Sequence, residues 1–102
     1  MANFLGNAFS LPMVSAPAEI AVEPVTASDV AAASWQSVIG HADTAAVVSG
    51  LLGRPAAFNR TNVRLQKGDV LYVAQVTGGR LPEGATTLPE GVKIVFLKVT
   101  VK

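Results

Sequence analysis

Apolar residues along this chain fall into short blocks separated by turn formers, and the spacing inside each block predicts its element. Residues 2–9 read as a short strand ending at Asn7 and Ser10, and Leu11-Pro12-Met13 breaks it. A second strand spans 19–25, and Pro24, which has no amide hydrogen to give a ladder, places it at an edge. Ala31, Ala32 and Ala33 favour a helix over 29–37, with Thr26 or Ser28 as its N-cap. A second helix runs over 41–52. Val47, Val48, Leu51 and Leu52 form its buried stripe, Gly53 is a natural C′ stop and Pro55 follows. Residues 62–66 read as a short strand and Lys67-Gly68-Asp69 as a turn. The nearly all-apolar block 70–77 predicts a central strand, with Gln75 on the same side as Leu71 and Val73. Residues 78–84 are too glycine-rich for regular structure, 88–91 suit a single helical turn, and 92–101 form a final strand.

This order of strands, two helices, then strands implies an α/β (α+β) single domain over residues 1–102, with a mixed sheet of about five strands flanked by helices. The apolar central and final strands call for cover on both sheet faces, part of which a partner subunit can supply. Composition narrows the chemistry. The chain of 102 residues is 50% hydrophobic and 15% charged, which excludes a disordered chain. It has no cysteine and one histidine, which excludes disulfides, a thiol nucleophile and a cysteine- or histidine-rich metal site within one subunit. The net charge of +1 hides an asymmetry: residues 1–53 carry four acidic groups and no Lys or Arg, while all eight basic residues lie from Arg54 onward. That distribution suits a small anion held by a few arginines better than a duplex bound along a basic stripe. No apolar stretch is long enough to span a membrane, and the start lacks the basic flank of a signal peptide, so a soluble, cytoplasmic protein is expected.

His41 is the residue with the most chemistry to offer. It stands where the second helix begins, beside free amide groups and the positive end of the helix dipole, which together favour a phosphate. A histidine there is placed to give a proton to a phosphate ester, although a plain polar helix entrance would look the same. The other polar candidates have equally ordinary readings. Asn7 and Ser10 can satisfy backbone groups at a strand end, and Thr44 can stabilise a first helical turn. Arg60 and Arg64 can be solvated, and Arg80 and Glu83 can form a surface ion pair. Gln75, a lone amide on an apolar strand, leans toward function. Trp35 and Tyr72 read as core or interface residues rather than stacking platforms.

Three segments stand out together: Asn7-Ala8-Phe9-Ser10, Ile39-Gly40-His41-Ala42-Asp43-Thr44, and Gln75 followed by Arg80-Leu81-Pro82-Glu83-Gly84, with Asn59-Arg60 between. Their order resembles a family of small archaeal-virus and phage proteins, once known only as a domain of unknown function, that includes viral anti-CRISPR ring nucleases. The resemblance runs from about Asn3 to Val101. It implies a homodimer that binds cyclic tetra-adenylate across its two subunits and cuts it, without metal or other cofactor, to linear di-adenylate ending in a 2′,3′-cyclic phosphate, which silences type III CRISPR signalling. It also implies residue roles. His41 would be the general acid, Arg80 would stabilise charge at the scissile phosphate, and Glu83 would orient the histidine or assist proton handling. Asn7, Ser10, Thr44, Arg60 and Gln75 would hold ribose, phosphate or adenine. The chain departs from the family pattern in three ways: little room for a helix after the Arg-Leu-x-Glu-Gly segment, an added residue at Gly78-Gly79, and Asp43 where a small hydroxyl residue is common. The competing expectation is a non-enzymatic protein of the same fold that binds a CRISPR effector protein or nucleic acid.

Overall fold

The computed structural model describes residues 2–102; Met1, included in the domain read from the sequence, lies outside the described residues. It is one α+β domain built on a mixed sheet of five strands: β1 (Asn3–Gly6), β2 (Ile20–Val25), β3 (Gln36–Ser37), β4 (Val70–Thr77) and β5 (Lys93–Val101), in the order β2-β5-β4-β1-β3. Two helices, α1 (Ala27–Ala32) and α2 (Ala42–Leu52), lie against it. The pairing of β1 with β3 and β4 is parallel, and that of β5 with β4 and β2 antiparallel. The apolar block 70–77 is the middle strand, and Pro24 sits in the edge strand β2.

Alternation along β4 sorts the core into two layers. Ala74 faces a cluster with Leu5, Ile39, Val48 and Phe96, under the helices. Leu71 and Val73 face the opposite layer, with Val63, Leu65, Val99 and Val101. That second layer is covered by chain segments around Met13 and Val63, and farther along the sheet Val22 and Val95 stay exposed.

Four local readings are corrected. The first strand stops at Gly6 rather than running to residue 9. The helix expected over 29–37 occupies Ala27–Ala32, because Gln36 and Ser37 pair with Phe4 and Leu5 and a parallel ladder requires extended backbone there. Thr26 is its N-cap in a reciprocal capping box with Asp29, whose carboxyl is held below the usual carboxylate range by the Thr26 backbone amide and then by its hydroxyl. At the other end, Arg54 Nη1 donates to the carbonyls of Ala31 and Ala33 at 2.9 and 2.8 Å, with its guanidinium 4.0 Å from the Trp35 ring centre. The alternation at 62–66 does bury Val63 and Leu65, yet the segment forms no strand and is tied by Leu65 N donating to the Met13 carbonyl. Residues 88–91 form turns without a helix.

Asp69 closes the end of the domain opposite the carboxyl ends of the parallel strands. It is buried, and its two oxygens accept from the amides of Gln66 and Ala2, both at 2.8 Å. Those bonds, Gln66 first and then Ala2, hold its carboxyl below the usual range. A carboxyl depressed in the folded state adds stability that is complete above its unfolded pKa and is lost as pH falls through that value toward the folded one. Asp69→Asn is therefore expected to cost about 1–3 kcal/mol near neutral pH, because its NH2 faces an amide donor. It is also expected to flatten the fall in stability between roughly pH 5 and pH 2. Urea melts across that range check both; parallel curves for the two proteins would refute the assignment.

Candidate functional site

The three parallel strands β3, β1 and β4 point their carboxyl ends the same way, so the residues following them gather at one end of the sheet. Crevices outside the carboxyl ends of parallel strands are where open sheets of this kind bind ligands, because the loops there have no ladder to complete. The helix α2 connects β3 to the parallel β4 and must run back along the sheet, which brings its N-terminus to that same end.

A cleft of about 400 Å³ opens there, lined by Asn7 after β1, His41, Asp43 and Thr44 at the start of α2, Gln75 and Val76 in β4, and Gly79, Arg80 and Leu81 beyond it. His41 occupies the N-cap position with extended backbone, and its side chain does not cap the helix. The exposed imidazole is thus left for other work. The first-turn amides of a helix have no partner within it and present positive partial charge. Asn7 fixes the approach: its Oδ1 accepts from the Gly40 amide at 3.0 Å, clamping the backbone just before His41. Ser37 and Asn59 support that segment from behind, Ser37 Oγ donating to the Ala57 carbonyl at 2.6 Å and Asn59 Nδ2 donating to the Ser37 carbonyl at 3.0 Å.

Of the eight site residues read from the sequence, five line this cleft: Asn7, His41, Thr44, Gln75 and Arg80. Arg60 lies outside its lining, with its side-chain methylenes against Gly40, so it flanks the histidine entrance. Ser10 lines a different groove with Met13 and Arg64. Glu83 is exposed on the loop beyond Arg80 and outside the cleft lining, and no ion pair joins it to Arg80 among the described residues. Sequence reasoning gave Asp43 no site role. Its Oδ1 accepts from the Gly84 amide at 2.9 Å across 41 residues of chain, a contact no local pattern announces. It also left Arg54 unassigned; its stacking on Trp35 joins residues far apart in the chain, and no local pattern signals it.

The cleft gathers one arginine, one imidazole, two side-chain amides, the Thr44 hydroxyl, the Asp43 carboxylate and a helix N-terminus around an open space. The arginine, the imidazole and the helix N-terminus are the kinds of group that can hold an anion and hand it a proton, and the amides can offer hydrogen bonds to polar edges. Among the described residues no three His, Cys, Asp or Glu side chains group as metal ligands, and no helix is long and apolar enough to cross a membrane.

A family model described as STIV B116-like matches residues 3–96. Among solved structures, B116 of Sulfolobus turreted icosahedral virus is similar at 26% identity and a TM-score of 0.82, over 98% of this chain and 99% of that one. No curated protein matches the chain.

Proposed function

Since the chain belongs to the STIV B116-like family, we propose that it is a metal-independent ring nuclease that binds cyclic tetra-adenylate across a homodimer and so acts as a viral anti-CRISPR protein. The observation that carries this reading is the convergence of Asn7, His41, Gln75 and Arg80 on one cleft from segments far apart in sequence.

The chemistry needs little from the protein beyond placement. In RNA the 2′-hydroxyl beside each phosphate is its own nucleophile. Its oxygen attacks phosphorus in line, its proton leaves to solvent, and the bond from phosphorus to the 5′ oxygen breaks. The imidazolium of His41 protonates that departing oxygen, and a 2′,3′-cyclic phosphate remains. The Arg80 guanidinium and the first-turn amides of α2 stabilise the charge that builds on the phosphoryl oxygens. Asn7, Thr44 and Gln75 hydrogen-bond ribose and adenine, Arg60 adds positive charge at the entrance, and Ser10 and Glu83 reach the ligand only once a partner or a loop movement brings them to it.

Size supports a shared site. About 400 Å³ lies toward the small end of the ~300–1,000 Å³ typical of small-molecule pockets and suits about one nucleotide unit rather than a four-nucleotide ring. A mostly apolar hollow lined by Phe9, Val22, Val73 and Leu97 adjoins the cleft and shares Asn7 and Gln75 with it. A second copy seated two-fold on that face covers it and brings its own cleft alongside, so that two clefts hold opposite sides of one ring.

The test is incubation with cyclic tetra-adenylate in excess EDTA, followed by mass spectrometry. The expected product is linear di-adenylate ending in a 2′,3′-cyclic phosphate, at the same rate with and without chelator. Loss of cleavage in EDTA that returns with added metal would refute the mechanism. An intact ring that still binds would move the protein to the non-enzymatic class.

A further inference from the structure

Beyond β4 the chain makes a closed excursion over residues 79–90. Its neck is pinched at Gly78 and Gly91, both with positive φ (80° and 81°), and a Cβ on Gly78 would collide with the Gly91 carbonyl oxygen. Within the excursion Ala85 N donates to the Pro82 carbonyl, and at its neck Val92 N donates to the Pro89 carbonyl and Thr77 Oγ1 to the Lys93 carbonyl. Among the described residues, the hydrogen bond that ties the excursion to the body of the domain is Gly84 N donating to Asp43 Oδ1, at 2.9 Å. Past that tie the chain runs beside α2, where Thr86, Thr87 and Leu88 face Val47, Gly50 and Leu51. Asp43, Val47, Gly50 and Leu51 lie four, three and one residues apart, one stripe of a helix. Arg80 stands two residues after the neck and four before the tie, so these two points fix where its backbone lies at the cleft mouth.

We propose that Asp43 is a positioning residue: its carboxylate straps the 79–90 segment to the start of α2 and thereby sets Arg80 at the cleft. A carboxylate beside an anion site looks unfavourable. Here one of its oxygens is engaged by a backbone amide, and its charge lies in the first turn of a helix, where the dipole favours it. The strap stands on this geometry alone. Its effect on catalysis rests on the ring-nuclease reading.

Trypsin separates the two, because it cleaves after Arg80 and the fragment 1–80 is identified by its mass. Asp43→Ala is expected to release that fragment roughly tenfold faster than wild type, equivalent to about 1.4 kcal/mol of lost restraint. Asp43→Asn keeps an oxygen acceptor for the Gly84 amide and is expected to restore protection to within about twofold. Loss of helix-dipole stabilisation alone would make the asparagine behave like the alanine, which overturns the strap, and so does equal cleavage of wild type and alanine variant. Circular dichroism of each variant establishes that it is folded. In the same proteins, kcat/KM for cyclic tetra-adenylate is expected to fall in Asp43→Ala and recover in Asp43→Asn; faster proteolysis with unchanged kcat/KM overturns the positioning role. A wild-type protein that leaves the ring intact removes the ring-nuclease reading while the proteolysis still decides the strap.

Discussion

His41→Ala is expected to fold normally, to bind the ring, and to lose about 100- to 10,000-fold of its single-turnover rate, the range for removing a positioned general acid. Normal folding follows from the local structure. The imidazole is exposed and makes no capping bond, and the extended backbone at this position suits alanine. Binding persists because the Arg80 side chain, the Asn7 clamp on Gly40 and the first-turn amides of α2 do not depend on the imidazole. What the variant lacks is a proton for the departing 5′ oxygen, whose expulsion as a bare alkoxide is slow in water. The decisive measurement is single-turnover cleavage at saturating enzyme, since steady-state rates can be limited by product release. An unchanged rate would remove His41 from the chemistry.

The second large effect is on stability. Leu5→Ala is expected to cost roughly 2–5 kcal/mol, the range for emptying a buried leucine site. Leu5 is fully buried in β1, with the ladder of β3 on one side and of β4 on the other, and belongs to the cluster with Ile39, Val48 and Phe96. A domain of this size has about 5–15 kcal/mol of total stability, so one such cavity removes a large part of it. The site shares the damage, because Asn7 follows β1 directly and holds Gly40 in place. Urea denaturation measures the loss; a value below 1 kcal/mol would mean that the sheet closes over the gap.

What could be read from the sequence was what short-range physics decides. The stripe of Val47, Val48 and Leu52, with Gly53 after it, marked α2 to within a residue; Leu51, expected in that buried stripe, is instead exposed, and Gly53 adopts the left-handed φ of 68° expected of a C′ stop. The unbroken apolar run from Val70 marked the middle strand. The errors arose where distant partners decide. The alanines after Val30 favour a helix through Ser37, yet β1 recruits Gln36 and Ser37 as a strand, and Arg54, more than twenty residues away, takes the carbonyls at the end of α1. Val63 and Leu65 alternate as in a strand because both face the core, but no neighbour offers the segment a ladder. The site followed the same rule. His41 at a helix entrance and Gln75 within an apolar strand stood out by themselves, Asn7 and Arg80 took site roles only through the family resemblance, and the parallel strands bring all four to one end of the sheet. The bond from Gly84 to Asp43 was not, because it depends on how a glycine-rich excursion folds back over a helix.

The place of β1 has a consequence for how the protein is made. This strand leaves the ribosome before both of its neighbours, residues 36–37 and 70–73, so Asn3 waits for Val70. At ~5–20 residues per second that delay is roughly 3–13 s, a long time for an apolar strand to keep one of its two edges unpaired. The nascent chain therefore cannot close its sheet from the N-terminus forward; it holds β1 open until β4 arrives and seats beside it. Asn7, His41 and Arg80 emerge in turn, and only that late insertion brings them together, so a truncated translation product ending before β4 carries a histidine and a helix but no cleft.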